Sequence, residues 1–174
     1  MMKIGILSDT HDQVERTSKA VAALIGAGAE ALVHCGDLTC PAVVLECAAR
    51  PCYYVFGNND FDHNILGRAI RRSGGVSLGR GGEIALEGRR IAVTHGDSSA
   101  ELRRLAALAP DYLLFGHSHR KGDERRGPTR WVNPGALYRA PEWTVAVIDL
   151  EVDSLAFHFV DGRGGCPGQA GRNS

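Results

Sequence analysis

Lys3-Ile4-Gly5-Ile6-Leu7, followed at once by Ser8-Asp9-Thr10-His11, sets a pattern that the chain repeats four more times. A short apolar run reads as a buried strand, and the polar residues that break it fall at its carboxyl end. Residues 31–35 lead into Gly36-Asp37, and residues 53–56 into Gly57-Asn58-Asn59-Asp60. Residues 91–93 lead into Thr94-His95-Gly96-Asp97, and residues 112–115 into Gly116-His117-Ser118-His119. Ligands of open α/β sheets bind at the carboxyl ends of the strands, so five such loops are expected to share one rim.

Outward from these runs, the intervening segments read as helices. Residues 12–26 place Val14, Ser18, Val21, Leu24 and Ile25 near one face. Pro41 suits the first turn of a helix over 41–49, residues 61–72 form a third, and residues 98–108 a fourth. Ser98 and Glu101 have capping-box spacing. Further strands are expected over 84–86, 90–94, 130–132, 144–150 and 155–160, the first two joined by a turn at Glu87-Gly88-Arg89. Strands alternating with helices early and following one another late indicate an α/β domain with a mixed sheet or two packed sheets. The reading is one domain over 1–160 with a flexible Gly-rich tail over 161–174; residues 73–83 and 121–129 are expected loops that supply pocket walls.

Composition narrows the class. A chain of 174 residues, 44% hydrophobic, can bury one core. Twenty basic residues balance twenty acidic ones, so no general nucleic-acid or anionic-membrane binding is indicated, and any anion must be drawn by a local site. No apolar run approaches the ~20 residues of a membrane span, and the N-terminal run is too short for a secretory signal. Met1 and Met2 are alternative starts. The five cysteines are odd in number and lack CxxC spacing, which fits reduced thiols in a cytoplasmic protein better than a disulfide frame or a zinc ribbon. A homo-oligomer is compatible with the sequence. No P-loop, GxSxG or GxGxxG motif is present.

Four of the seven histidines, His11, His95, His117 and His119, fall in the five loops. With Asp9, Asp37 and Asn58 they offer imidazole, carboxylate and amide donors. That mixture suits Mn²⁺, Fe, Co, Ni or Zn²⁺ better than Ca²⁺ or Cu(I), and seven donors exceed what one tetrahedral zinc needs. In Asp9-x-His11 and His117-x-His119 the i, i+2 spacing of extended chain points both side chains the same way. Each motif alone would serve as a turn or a helix cap; five in this order after five apolar runs carry the signal. Asp60 and Asp97 read equally as partners of the imidazoles or as caps, His34 as a core histidine, and Arg120 and Lys121 as residues that could steer an anion.

These motifs resemble the calcineurin-like metallophosphoesterase family, whose pattern runs DxH, GD, GNH[DE], GH and GHxH. The length, and Asn133-Pro134-Gly135 after the last motif, look most like its small YfcE-like phosphodiesterase branch. The resemblance spans residues 2–160 and implies a four-layer α/β/β/α sandwich. It implies one ion on Asp9, His11, Asp37 and His119 and a second on Asp37, Asn58, His95 and His117, with Asp37 bridging. It implies two divalent transition metals, Mn²⁺ favoured, and hydrolysis of a small phosphodiester by a metal-bridging hydroxide, with Asp37, Asn58, Asn59 and His95 as the catalytic positions. Two divalent ions less two carboxylates and a hydroxide leave about one positive charge to attract a phosphodiester. The chain departs from the family at Asn59, where a general-acid His is usual; an amide donates a hydrogen bond but does not deliver a proton near neutral pH. His63, four residues on, is a candidate substitute. The alternative function is a non-catalytic protein-binding scaffold on the same fold, as in the related retromer subunit, which departs from the ligand pattern; here every ligand position is filled.

Overall fold

A computed structural model describes residues 2–160; the expected tail over 161–174 lies outside the described residues. In chain order the elements are β1 Lys3–Leu7, α1 Val14–Gly26, β2 Ala31–His34, α2 Pro41–Cys47, β3 Cys52–Tyr54, α3 His63–Arg72, β4 Val76–Ser77 and β5 Gly81–Leu86. β6 Arg89–Thr94, α4 Ser99–Ala106, β7 Tyr112–Leu114, β8 Gly122–Arg126, β9 Thr129–Asn133, β10 Thr144–Asp149 and β11 Ser154–Phe159 follow.

The strands form two sheets. The first has the order β11-β10-β1-β2-β3-β4 and the second β5-β6-β7-β9-β8. β1, β2, β3 and β4 pair in parallel, while β10 runs antiparallel to β1. In the second sheet β6, β7 and β9 pair in parallel, with β5 and β8 antiparallel at the edges.

Side-chain alternation along the strands sorts the core into layers. Ile4, Ile6, Ala31, Val33, Ala146 and Ile148 of the first sheet pack against Ile91, Val93, Tyr112, Leu114 and Val132 of the second. On the outer face of the first sheet, Leu32, Tyr54, Val145 and Val147 meet Leu24 of α1, Val43 and Val44 of α2, and Leu66 and Ile70 of α3. Ala92 and Leu113 of the second sheet meet Leu105 of α4. The result is a four-layer α/β/β/α sandwich, as the resemblance implied. A polar tie also joins the sheets: the Tyr112 hydroxyl donates to Asp153 (2.7 Å), in the β10–β11 turn, and Arg130 pairs with both Asp123 and Asp153.

Two expectations need correction. Residues 73–83 and 121–129 were expected to be loops, yet they hold β4, the first residues of β5, and β8. β4 is two exposed residues, and β8 (Gly-Asp-Glu-Arg-Arg) has no apolar alternation. Both are edge strands held by backbone pairing to β3 and β9, which leaves no hydrophobic signature. Helix ends shift by about two residues, a normal margin. The first helix starts at Val14, so Asp9 caps nothing. Asp62 caps α3 by accepting from the Ile65 N–H, and Ser98 caps α4 by accepting from the Glu101 N–H.

Ile6 is fully buried between the sheets, whereas Leu45 on α2 is 62% exposed. Ile6→Ala is expected to cost about 2–5 kcal/mol, and Leu45→Ala less than about 0.5, read from urea unfolding.

Candidate metal centre

The five loops converge at one rim because β1, β2 and β3 of the first sheet, and β6 and β7 of the second, present their carboxyl ends there. Backbone conformation makes the convergence possible. Asp9 (φ 53°), His11 (φ 40°), Asp37 (φ 57°), His117 (φ 66°) and His119 (φ 56°) all sit in the left-handed region. Non-glycine residues avoid it, and such strain collects at functional sites. Two glycines admit the approach. A Cβ on Gly57 would lie 2.1 Å from Asp37 Oδ1, and one on Gly116 would lie 1.9 Å from Ser8 Oγ and 2.6 Å from Asp9 Oδ2.

Asp9 and Asp37 are the buried anions of the site. Asp9 Oδ2 accepts from the Ser8 hydroxyl (2.6 Å) and from the His117 N–H (3.0 Å). Asp9 Oδ1 faces His119 Nε2 at 3.1 Å, His95 Nε2 at 3.9 Å and His11 Nε2 at 4.0 Å. Even so, among the described residues no group is oriented to form a hydrogen bond with Asp9 Oδ1, and His11 Nε2 is equally without one. Asp37 Oδ2 lies 3.2 Å from His11 Nε2 and 3.4 Å from His95 Nε2. Burial raises the Asp37 pKa, but the adjacent His11 and His95 imidazoles and the two bonds from Asn59 outweigh it and hold the carboxyl far below its ordinary value.

The imidazoles are oriented from behind. His95, fully buried, directs Nδ1 at the Cys35 carbonyl (2.8 Å). Nε2 then faces the carboxylates and the Asn58 side-chain oxygen (3.1 Å). Burial lowers the His95 pKa, yet Asp37 and Asp9 prevail and lift it to about 8. His119 directs Nδ1 at the Arg139 carbonyl (3.3 Å), and its pKa is raised chiefly by Asp9. The His117 ring stands edge-on to His95, centroids 5.2 Å apart. A ring nitrogen engaged by a carbonyl fixes the other as the lone-pair nitrogen, the usual preparation of a histidine ligand.

All seven residues expected to bind metal are therefore gathered at one place. Asp9, His11 and His119 bring three donor atoms within 4.8 Å of one another, and Asp9, Asp37 and His95 do likewise. Oxygen and nitrogen donors with two orphaned buried atoms among them fit divalent transition metals.

Other residues take roles the sequence did not disclose. Asn59 donates twice to Asp37, its N–H to Oδ1 (2.9 Å) and its side-chain amide to Oδ2 (2.8 Å). Asp60 orients no imidazole; it accepts from the N–H groups of Asp37, Thr39 and Gly57 and so locks two loops together. Asp97 pairs with Arg80, which also donates to the Gly57 carbonyl. His63 stacks on Phe56, centroids 4.3 Å apart. It does not line the cleft over the donors, a space of about 340 Å³ bounded by His11, Asp37, Asn58, Asn59, His117, His119, Tyr138 and Arg139. The pocket wall is thus the segment after Asn133-Pro134-Gly135, not the two expected loops. Lys121 turns away to Glu142 (2.7 Å).

His34 is a core histidine. Its Nδ1 accepts from the Gly36 N–H (3.2 Å), which places the proton on Nε2, 3.1 Å from Thr10 Oγ1; the Thr10 hydroxyl then donates to the Asp37 carbonyl (3.2 Å). Burial lowers the His34 pKa from 6.5 to about 3.

Comparison with known proteins gives concordant findings. The calcineurin-like phosphoesterase superfamily domain matches residues 2–153. The phosphodiesterase MJ0936 of Methanocaldococcus jannaschii is 26% identical over 86% of this chain and 94% of its own. Phosphodiesterase YfcE of Escherichia coli K12 is 26% identical over 79% of this chain and 80% of its own. A solved archaeal phosphodiesterase superposes with a TM-score of 0.84 over 91% of this chain and 99% of its own; at 24% identity that likeness speaks for the fold.

Because folded His34 takes up no proton until about pH 3, its contribution to stability is complete above pH 6.5 and is lost as pH falls from 6.5 toward 3. The expected slope is about 1.4 kcal/mol per pH unit. His34→Gln should flatten the acid limb of metal-free protein by that amount, read from urea unfolding at a series of pH values.

Proposed function

The chain belongs to the calcineurin-like phosphoesterase superfamily and is a metal-dependent phosphoesterase, and we propose that it hydrolyses small phosphodiesters at the Asp9–Asp37 cluster with two divalent ions, Mn²⁺ favoured. One observation supports this most. Asp9 Oδ1 and His11 Nε2 are buried, unbonded, and aimed into a shell of oxygen and nitrogen donors. Left so, each would carry the penalty of an unsatisfied buried polar group, about 1–3 kcal/mol, and more for the charged carboxylate. A cation supplies the missing partner.

On this reading Asp9, His11, Asp37 and His119 hold one ion, and Asp37, Asn58, His95 and His117 the other. Such a pair supplies Lewis acidity toward phosphoryl oxygens and an acidified water as nucleophile. The remaining work falls to the chain. The His117 N–H and Ser8 hydroxyl hold Asp9 Oδ2, so that Oδ1 points inward. Asn59 spans both oxygens of Asp37 and fixes the plane of the carboxylate. The Cys35 and Arg139 carbonyls set the His95 and His119 rings. Only two of the seven donors are anionic, so the loaded site is positive and attracts a phosphate ester.

Asn59 stands where the family has its proton donor, and its amide is engaged by Asp37. Leaving groups must then depart without a protein proton, which favours esters of acidic alcohols such as nitrophenol. A general acid is typically worth ~10²–10⁴-fold. Asn59→His is expected to raise turnover of poor leaving groups toward that range while changing nitrophenyl esters little, measured as kcat on the two ester classes.

The direct test is metal content and hydrolysis of bis-(p-nitrophenyl) phosphate with added Mn²⁺. About two ions per chain are expected, with activity lost in Asp37→Ala and His117→Ala. Protein that holds metal but cleaves no phosphoester would point to the scaffold. His95, with a pKa of about 8, must lose its second proton to bind metal. Affinity for Mn²⁺ is therefore expected to fall as pH drops below about 8, read by titration calorimetry at several pH values.

A further inference from the structure

Among the described residues, Arg139 is the one Lys or Arg that lines the cleft over the donor cluster. Its backbone is placed with unusual firmness. The preceding Leu137 is fully buried; its N–H donates to the Asp9 carbonyl (3.2 Å), and its own carbonyl accepts from Arg16. Arg139 itself adopts φ 45°, and its carbonyl receives His119 Nδ1. The strained residue is thus tied to the base of the site from both sides, through Asp9 and through a proposed ligand.

The side chain, in contrast, is exposed and forms no ion pair among the described residues. Its guanidinium lies over the Tyr138 ring, 5.1 Å from the centroid, and that ring in turn rests 4.7 Å from His11. Stacking orients a guanidinium plane but leaves its N–H donors free. Three other basic residues near this rim are engaged elsewhere, Arg16 over Trp143, Arg80 with Asp97 and Lys121 with Glu142, and Arg120, exposed beside His119, does not line the cleft.

We propose that Arg139, propped on Tyr138, binds an anionic non-bridging oxygen of the phosphoryl group undergoing hydrolysis. The forked N–H geometry of arginine suits phosphate oxygens, and its charge is independent of pH and of metal occupancy. This rests on the phosphoesterase reading of the cleft. It makes the Arg139 side chain a substrate-binding group with no part in holding the ions, while the Arg139 carbonyl, kept in every variant, orients His119.

Arg139→Asn is the informative variant, because asparagine tolerates positive φ and removes the guanidinium without adding backbone strain. Arg139→Lys keeps the charge and loses the fork. Both are compared with the parent for KM and kcat on bis-(p-nitrophenyl) phosphate, for inhibition by inorganic phosphate, and for Mn²⁺ content. The expected result for Arg139→Asn is unchanged metal content with KM and the phosphate inhibition constant both raised about 10- to 100-fold, and an intermediate effect for Arg139→Lys. An active parent whose Arg139→Asn variant keeps the same KM and phosphate inhibition overturns the proposal and leaves the phosphoesterase reading standing. A parent that neither binds Mn²⁺ nor cleaves the ester overturns that reading, and the role of Arg139 with it.

Discussion

Two carboxylates held inside the protein, Asp9 and Asp37, set the terms for everything around them. Burying an ionised carboxylate is costly unless it is paired and hydrogen-bonded. Here each carboxylate receives two hydrogen bonds from its own surroundings: Asp9 from Ser8 and the His117 N–H, Asp37 twice from Asn59. The oxygens turned inward, Asp9 Oδ1 and Asp37 Oδ2, are then shared among His11, His95 and His119 at 3.1–4.0 Å. Left-handed backbone at five of the seven donors is a further cost, about 1–2 kcal/mol per residue. The surrounding core must supply it.

That core is a sandwich whose seam runs through the site. Asp9, Asp37 and Asn58 come from loops of the first sheet, and His95, His117 and His119 from loops of the second. The His117 N–H to Asp9 bond and the His95 to Cys35 carbonyl bond cross the seam directly. Arg80 crosses it again by joining Asp97 to the Gly57 carbonyl. The packing of Ile4 and Ile6 against Ile91, Val93 and Leu114 therefore also fixes the distance between the two halves of the donor set. A shift of one sheet against the other would spread the donor set as well.

Much of this was legible in the sequence because strand ends are punctuated sharply. Apolar runs stop where the chain must turn, and the residue types at those stops carry the chemistry, so Asp9, His11, Asp37, Asn58, His95, His117 and His119 could be named as a set. The fold followed from the order of strands and helices together with the family resemblance. What escaped was contact made by residues without a pattern. Asn59 is legible as a departure from a motif, but its double bond to Asp37 depends on a turn that only coordinates define. Asp60 looks like a cap until Asp62 is seen to fill that place. β8 has no apolar face to announce it, and Tyr138 and Arg139 lie in a segment with no periodicity. They reach the cleft because Leu137 is pinned to Asp9.

The central claim is that one carboxylate, Asp37, lies between two cations. Anomalous diffraction from crystals grown with Mn²⁺ addresses it most directly. Two peaks about 3.5–4 Å apart, both in contact with the Asp37 side chain, are the predicted result. A single peak, or peaks away from Asp37, would contradict the account.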